Sequence, residues 1–248
     1  MDNTLLTKIY NAHGGLERWN QVESVQININ IFGPILITRF KSPWLSNITA
    51  TIFTDKPYAS LHNFPEQGLT SIFDGYDAYI YDENDQITAE RHFKHNSSLH
   101  NKPRLHWDHL DLVHSLGSGL WNTICSPFLL DNNTIETIQG DDLLDNQGRR
   151  LLTLNIHIPS SIPCPSHHQV YYINPQGLIE RNDYQNKTFS PLAIGTHLHL
   201  QHRNIDGLVF AMRKKVFPRL WNGTAIKAVK LMDAQINTIS INWKIATS

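Results

Sequence analysis

Short segments in which apolar and polar residues alternate constrain the fold of this chain more than any other feature. In segment 25–31, every second residue is apolar and β-branched, and the three residues between them are amides. A period of two is typical of a β-strand with one buried face. Similar segments recur with turn residues between them, and few helices are predicted between them to carry parallel crossovers. The pattern therefore predicts an antiparallel meander.

The predicted strands run through most of the chain and imply a curved sheet. Besides 25–31, they are about 35–41, 46–54, 69–73, 76–82, 86–93, 133–141, 149–158, 167–173, 177–184, 192–203, 207–218 and 226–243. A short helix is predicted within residues 3–20. A sheet of about a dozen strands rarely stays flat. We predict one domain over residues 1–248, mainly β (α+β), built as a curved antiparallel sheet or incomplete barrel.

Residues 105–124 break this pattern and predict an amphipathic helix. Leu112 and Leu116 belong to one apolar arc, whereas Ser118 lies on the opposite, polar arc. Gly117 lies on the apolar arc, so the helix can approach a sheet closely, although each Gly costs about 1 kcal/mol relative to Ala. We predict that this helix is a lid across the concave face of the sheet and that a ligand cavity lies beneath it.

Composition and charge exclude several classes of protein. The chain has 21 Lys and Arg against 22 Asp and Glu, a formal net charge of −1, so it lacks the basic surface expected for nucleic-acid binding. Its two cysteines form no Cys-x-x-Cys pair. No apolar run reaches the roughly 18 residues of a membrane span, and no glycine-rich nucleotide motif is present, so we predict no cofactor. The N-terminus carries Asp2 and lacks the apolar stretch of a secretory signal, which predicts a cytoplasmic location.

Five motifs along the chain resemble a known family. They are Ala12-His13-Gly14-Gly15-Leu16-Glu17-Arg18-Trp19, Gly119-Leu120-Trp121-Asn122, Ser126-Pro127-Phe128-Leu129-Leu130, Arg181-Asn182-Asp183-Tyr184, and Arg203-Asn204-Ile205-Asp206-Gly207-Leu208 followed by Pro218. Together they resemble a family of uncharacterised bacterial proteins that is similar in strand order to the lipoprotein-carrier (LolA/LolB-like) superfamily.

The resemblance implies a fold and two kinds of function. The fold is an incomplete antiparallel barrel of about eleven strands, lidded by helices, with an apolar cavity for acyl chains or other hydrophobic molecules. Some relatives of that fold are small cofactor-free enzymes of secondary metabolism. Two features depart from the superfamily pattern: the signal peptide of a lipoprotein carrier is missing, and Ala211-Met212 precede Arg213 where a Pro-Thr pair is expected.

Four residues are candidates for acid–base chemistry in such a cavity. His109 is predicted within the apolar arc of the lid helix, either as a hydrogen-bonded core residue or as a catalytic one. His202 shares the parity of the apolar residues of its strand, which predicts that it faces the cavity. Asp183 either forms a salt bridge with Arg181 or orients His202 as a general base. Tyr184 would then offer its hydroxyl to a substrate.

Other histidines have spacings that zinc sites use, but their context argues against a metal. Strand parity predicts that His197 and His199 face solvent, and the cluster from His92 to His109 is predicted mostly in a polar loop. We therefore predict no metal site. The predicted ligand-binding wall consists of apolar and aromatic residues, a type that is also common in packed cores: Trp107, Trp121, Phe128, Leu116, Phe210 and Met212.

These observations favour a protein that binds a hydrophobic or amphipathic small molecule between sheet and lid. The alternative is a cofactor-independent enzyme that uses His109 or His202 with Asp183 and Tyr184; it predicts polar groups that converge on one end of an otherwise apolar pocket. A third class, a partner-binding module, would instead expose a large apolar patch.

Overall fold

A computed structural model describes residues 4–40, 42, 44–93, 107–145, 147–185 and 194–245. The helices are α1 (Thr4–Ala12), α2 (Leu16–Trp19), α3 (Pro34–Phe40), α4 (His109–Cys125) and a 3-10 helix (Phe128–Asp131). The strands are β1 (Val22–Phe32), β2 (Trp44–Phe53), β3 (Tyr58–His62), β4 (Thr70–Asp74), β5 (Asp77–Tyr81), β6 (Ile87–His92), β7 (Glu136–Gln139), β8 (Leu143–Leu144), β9 (Arg150–His157), β10 (His168–Ile173), β11 (Ile179–Gln185), β12 (Ile194–Ile205), β13 (Leu208–Pro218) and β14 (Met232–Trp243).

The described strands form one antiparallel sheet that does not close into a barrel. Its order is β6-β5-β4-β3-β2-β1-β14-β13-β12-β11-β10-β9-β7, with β8 paired to β9. The first strand and the last strand pair side by side, so that they join the meander β1–β6 to the meander β9–β14. The predicted fold class is confirmed, with 14 described strands rather than about eleven. No described helix is long and apolar enough to cross a membrane.

Strand β1 shows the alternation that predicted the fold. Val25, Ile27, Ile29 and Ile31 are each at most 5% exposed. On the other face, Asn28 receives a hydrogen bond from Asn237 of β14 at 2.7 Å and donates one to Thr49 of β2 at 3.3 Å. The apolar face therefore enters the core, while the amides link neighbouring strands on the outside.

One predicted strand is a helix in the structure, and one observed strand was not predicted. Residues 35–41 were predicted as a strand, but α3 begins at Pro34, whose fixed φ suits the first turn of a helix. Gly33 precedes it because a Cβ there would lie 2.2 Å from the carbonyl oxygen of Leu231. Strand β3 was not predicted, since Ala59 and Ser60 at its centre are weak strand formers.

Helix α4 is anchored at its start and packed against one half of the sheet. Asp108 and Asp111 form a capping box, in which the Asp108 side chain accepts from the Asp111 amide at 2.9 Å. Arg91 of β6 donates to both carboxylates. The helix lies on β2–β6, and a Cβ at Gly117 would lie 2.2 Å from the Cβ of Phe73. The close approach predicted at Gly117 is therefore present.

Candidate functional site

A cavity of about 330 Å³ lies beside α4 on the inner face of the sheet. It is lined by β1, β10–β14, α3, one flank of α4 and residues 160–167. A single buried water needs about 10–15 Å³ of such space, and pockets for small molecules begin at about 300 Å³. The space is therefore large enough for a small organic ligand.

One side of the cavity is apolar because the inner residues of β1 and β14 and the adjoining helices meet there. Leu116 of α4 and Trp107 just before it belong to this side, as the sequence predicted. The other apolar residues of the lining include Ile29, Ile31, Ile35, Leu36, Phe93, Leu112, Leu120, Met232, Ala234 and Ile236.

A polar part of the lining adjoins β14 and comes from the four consecutive strands β10–β13. Strand register pairs Gln169 with Tyr184, Asn182 with His197, and His199 with Lys214. Side chains of directly paired residues project from the same face of a sheet. All six of these residues line the cavity, and we call them the polar wall.

Contacts within the polar wall are few. The Asn182 amide donates to Gln169 Oε1 at 2.8 Å, and the rings of Tyr184 and His197 lie 4.6 Å apart. The Nε2 of His199 is buried without a hydrogen-bond partner in the described part of the chain. The wall therefore retains unused hydrogen-bonding capacity.

Lys214 is the only lysine or arginine among the described residues that line the cavity. Lys214 is half-buried, and burial lowers its pKa from 10.5 to about 7, because the charged ammonium group loses hydration. Burial, followed by the charge of Lys214, lowers the pKa of His197 to about 3 and that of His199 well below 6.5. Both imidazoles are thus neutral at pH 7. Burial also raises the pKa of Tyr184, so its phenol remains protonated.

The structure separates the residues predicted to act together in acid–base chemistry. Tyr184 lines the cavity, but His109, His202 and Asp183 are absent from the described lining. His109 is the first residue of α4 and is exposed, so it lies outside the apolar arc on which it was predicted. Gln201 adopts a φ of 57°, which interrupts the alternation that was used to place its neighbour. His202 instead lies with its Nε2 3.1 Å from the Ile179 carbonyl oxygen.

Asp183 forms a salt bridge with Arg181, as predicted, rather than a pair with His202, but the salt bridge was predicted inside the barrel and does not line the cavity. Arg181 donates to both of its carboxylate oxygens, each at 2.7 Å, and Tyr172 donates at 3.1 Å. These groups lie on the face of β11 opposite Asn182 and Tyr184, so they are outside the cavity.

The predicted aromatic wall belongs mainly to the packed core. Trp121, Phe128, Phe210 and Met212 are buried but are not part of the described lining. Phe128 stacks on Trp19 with ring centroids 4.7 Å apart. These four residues therefore belong to the packed core rather than to the cavity wall.

The sequence analysis missed the polar wall because it took the face of β12 that carries the leucines as the internal face. Leu198 and Leu200 were predicted to point inward, which would have sent His197 and His199 to solvent. In the structure the histidines face the cavity, and the two leucines remain partly exposed. Lys214 stands beside Arg213 and Lys215 in the sequence, where it resembles an ordinary surface charge. Among the described residues, no three His, Cys, Asp or Glu side chains group as metal ligands.

The polar side of α4 was also placed incorrectly. The sequence places Ser118 and Asn122 on the polar arc, opposite the arc expected to be buried, but Ser118 is buried and both residues line the cavity. The helix therefore presents Ser118 and Asn122 to the cavity together with leucines of its apolar arc, Leu112, Leu116 and Leu120.

Sequence comparison finds no match, whereas structure comparison finds solved structures with a similar fold. No family model and no curated protein matches the chain. A DUF1329 family protein from Desulfovibrio piger matches with a TM-score of 0.56 and 11% identity, over 99% of this chain and 94% of that one. A putative outer membrane lipoprotein-sorting protein domain from Vibrio parahaemolyticus has a TM-score of 0.52 and 10% identity, over 93% and 92%. A LolA superfamily protein from Nitrosomonas europaea matches with a TM-score of 0.53 and 8% identity, over 96% of this chain and 93% of that one.

These matches correct one prediction and support another. The cytoplasmic location predicted from the first residues is wrong on this comparison, because a matched structure is described as an outer membrane lipoprotein-sorting domain. The resemblance inferred from the sequence motifs is confirmed at the level of the fold. The chain has the LolA-like fold, shared with structures of the LolA superfamily and of the DUF1329 family.

Proposed function

We propose that this chain, as one domain, binds an amphipathic small molecule in the cavity beside α4. The observation that carries the proposal is the mixed lining of the cavity, with apolar residues from β1, β14, α3 and part of α4 and a polar wall from β10–β13. An alkyl chain would lie along the apolar side, and the head of the molecule would meet the polar wall. Related folds described as lipoprotein-sorting proteins support a ligand with an apolar chain.

The contribution of the apolar part of the ligand to affinity can be estimated from the length of its alkyl chain. Each CH2 group moved from water into an apolar site contributes about 0.8 kcal/mol, which corresponds to about a fourfold gain in affinity. Binding of a series of primary alcohols should therefore strengthen about fourfold per added carbon until the cavity is full, and then level off. Isothermal titration calorimetry below the solubility limit of each alcohol measures this series.

A cavity-filling variant tests where these alcohols bind. A Cβ at position 119 meets nothing within 4 Å, and Gly119 lines the cavity, so Gly119→Phe should fill part of the space and weaken binding of the longer alcohols. Leu144→Phe is a matched control, because Leu144 is 69% exposed and lies outside the described lining. The proposal is wrong if the alcohols do not bind the wild-type protein, or if both variants bind them as the wild type does.

The alternative of a cofactor-independent enzyme loses its predicted catalytic set. His109 is exposed, Asp183 is paired with Arg181, and His202 contacts a backbone carbonyl group. Only Tyr184 of the four lines the cavity. Binding is therefore the function that we propose.

A further inference from the structure

We propose that the head of the ligand is a carboxylate and that Lys214 is its counter-ion. This inference rests on the proposed binding function and adds the chemical class of the ligand. It follows from the placement of charges around the cavity, from the contrast between two adjacent basic residues on β13, and from the hydrogen-bonding groups beside Lys214.

The first observation is that the charged and titratable groups of the lining favour an anion. The described lining includes Lys214 and four histidines, His114, His167, His197 and His199, but no Asp, Glu or Arg. The chain has 22 Asp and Glu in total. The chain carries acidic and basic residues in nearly equal number, with a net charge of −1. The described lining of the cavity nevertheless contains no acidic side chain.

The second observation is the contrast between Arg213 and Lys214. Arg213 projects from the outer face of β13, where it donates to both oxygens of Asp233 at 2.8 and 2.7 Å. Lys214 projects from the inner face and has no ion-pair or hydrogen-bond partner among the described residues. A buried ammonium group without an anion is costly. A ligand carboxylate would supply on the inner face what Asp233 supplies on the outer face.

The third observation is that neutral donors stand beside Lys214. His199 is its direct partner across β12, and the Nε2 of His199 has no described partner. His197 is two residues from His199 on the same face of β12, and Tyr184 lies farther along that face, in ring contact with His197. A carboxylate has two oxygens with room for several donors, so Lys214 can take one oxygen while neutral side chains donate to the other.

The same arrangement predicts how binding depends on pH. The pKa of Lys214 is about 7 without ligand, so above pH 7 a carboxylate binds only with uptake of a proton. The groups that sense the charge of Lys214 are His13, His197, His199 and His202, and burial lowers the pKa of each below 6.5. They stay neutral above pH 7. Carboxylate affinity should therefore fall up to about tenfold per pH unit from pH 7 to 9 through Lys214 alone.

The experiment compares decanoate with decan-1-ol, which share an apolar chain and differ in the head group. Affinities are measured by calorimetry at pH 7 and pH 9 for the wild type, Lys214→Met and Lys215→Met. Lys215 is the control because it follows on the same strand and lies outside the described lining. Circular dichroism verifies that each variant is folded.

We expect Lys214→Met to weaken decanoate binding about 10- to 100-fold at pH 7, the range of a hydrogen-bonded charge pair, and to leave decanol binding equal or stronger. Lys215→Met should change neither ligand, and only decanoate should bind more weakly at pH 9. The inference is overturned if the wild type binds both ligands equally, or if Lys214→Met weakens both to the same degree. Failure of both ligands to bind the wild type would instead reject the proposed binding function.

Discussion

Replacement of Gly117 by Ala tests how α4 is seated on the sheet. An ideal Cβ at position 117 would lie 2.2 Å from Cβ and 2.6 Å from Cγ of Phe73, whereas carbon atoms in contact stay about 3.5–4.0 Å apart. Phe73 is 0% exposed, and the nearest atom adjoins its backbone, so the ring cannot swing away. The helix would have to move from the strands by more than about 1 Å.

The expected magnitude is the difference between two opposing effects. Overpacking of this kind costs about 1–3 kcal/mol, and Ala gains about 1 kcal/mol over Gly in a helix. Because the clash involves fixed atoms, we place its cost at or above the upper end and expect Gly117→Ala to lower the free energy of unfolding by about 2 kcal/mol. For a chain of this size the midpoint of thermal unfolding should fall by about 4–8 °C.

Gly119→Ala is the matched control in the same helix. A Cβ at position 119 meets nothing within 4 Å, so only the helix propensity changes, and the protein should gain up to about 1 kcal/mol. Urea unfolding followed by circular dichroism at 222 nm gives both values. If Gly117→Ala proves as stable as Gly119→Ala, the close packing of α4 on Phe73 is refuted.

Two further predictions concern the buried charges. Lysine in the unfolded chain titrates near 10.5, above the value of about 7 for Lys214, so the unfolded chain binds more protons between pH 7 and 10 and stability should rise with pH there. Lys214→Met should remove this rise and stabilise the ligand-free protein at pH 7 by about 2 kcal/mol, less than the full desolvation cost because the cavity can admit water. If the urea midpoint of the wild type is the same at pH 7 and pH 9.5, the prediction is wrong. Asp183→Asn leaves Arg181 without its buried carboxylate and should destabilise the protein by about 3 kcal/mol, while decanol affinity, measured alongside thermal unfolding, should stay constant.

The sheet could be predicted from the sequence because its period is local. In β1 the alternation from Val25 to Ile31 coincides with the buried face, and one-sided burial is what creates such alternation in antiparallel sheets. The segment after Pro34 shows the limit of this reasoning. A short apolar run without alternation fits a strand or a buried helix equally well, and the backbone of Leu231, which is distant in sequence, lies against Gly33 just before α3.

The candidate site was harder to predict because its side chains come from separate strands. Tyr184 and His197 become neighbours through the pairing of β11 with β12, and neither residue carries a local signal of that register. The sequence shows which residues of β12 share a face, but it does not show which of the two faces is internal. We assumed that Leu198 marks the inside, and a cavity with a polar wall reverses that assumption because polar groups there face a ligand space rather than the core.

The two basic residues at 213 and 214 show what finally distinguishes a site residue in this fold. In the sequence they are equivalent neighbours, and strand geometry sends them to opposite faces. Arg213 has its charge neutralised by Asp233 within the protein, so its role is complete when the chain folds. Lys214 occupies an inner position where no described carboxylate lines the cavity. What distinguishes a structural ion pair from a binding group here is therefore whether the basic residue has a partner within the protein. Strand pairing determines this, and residue type does not.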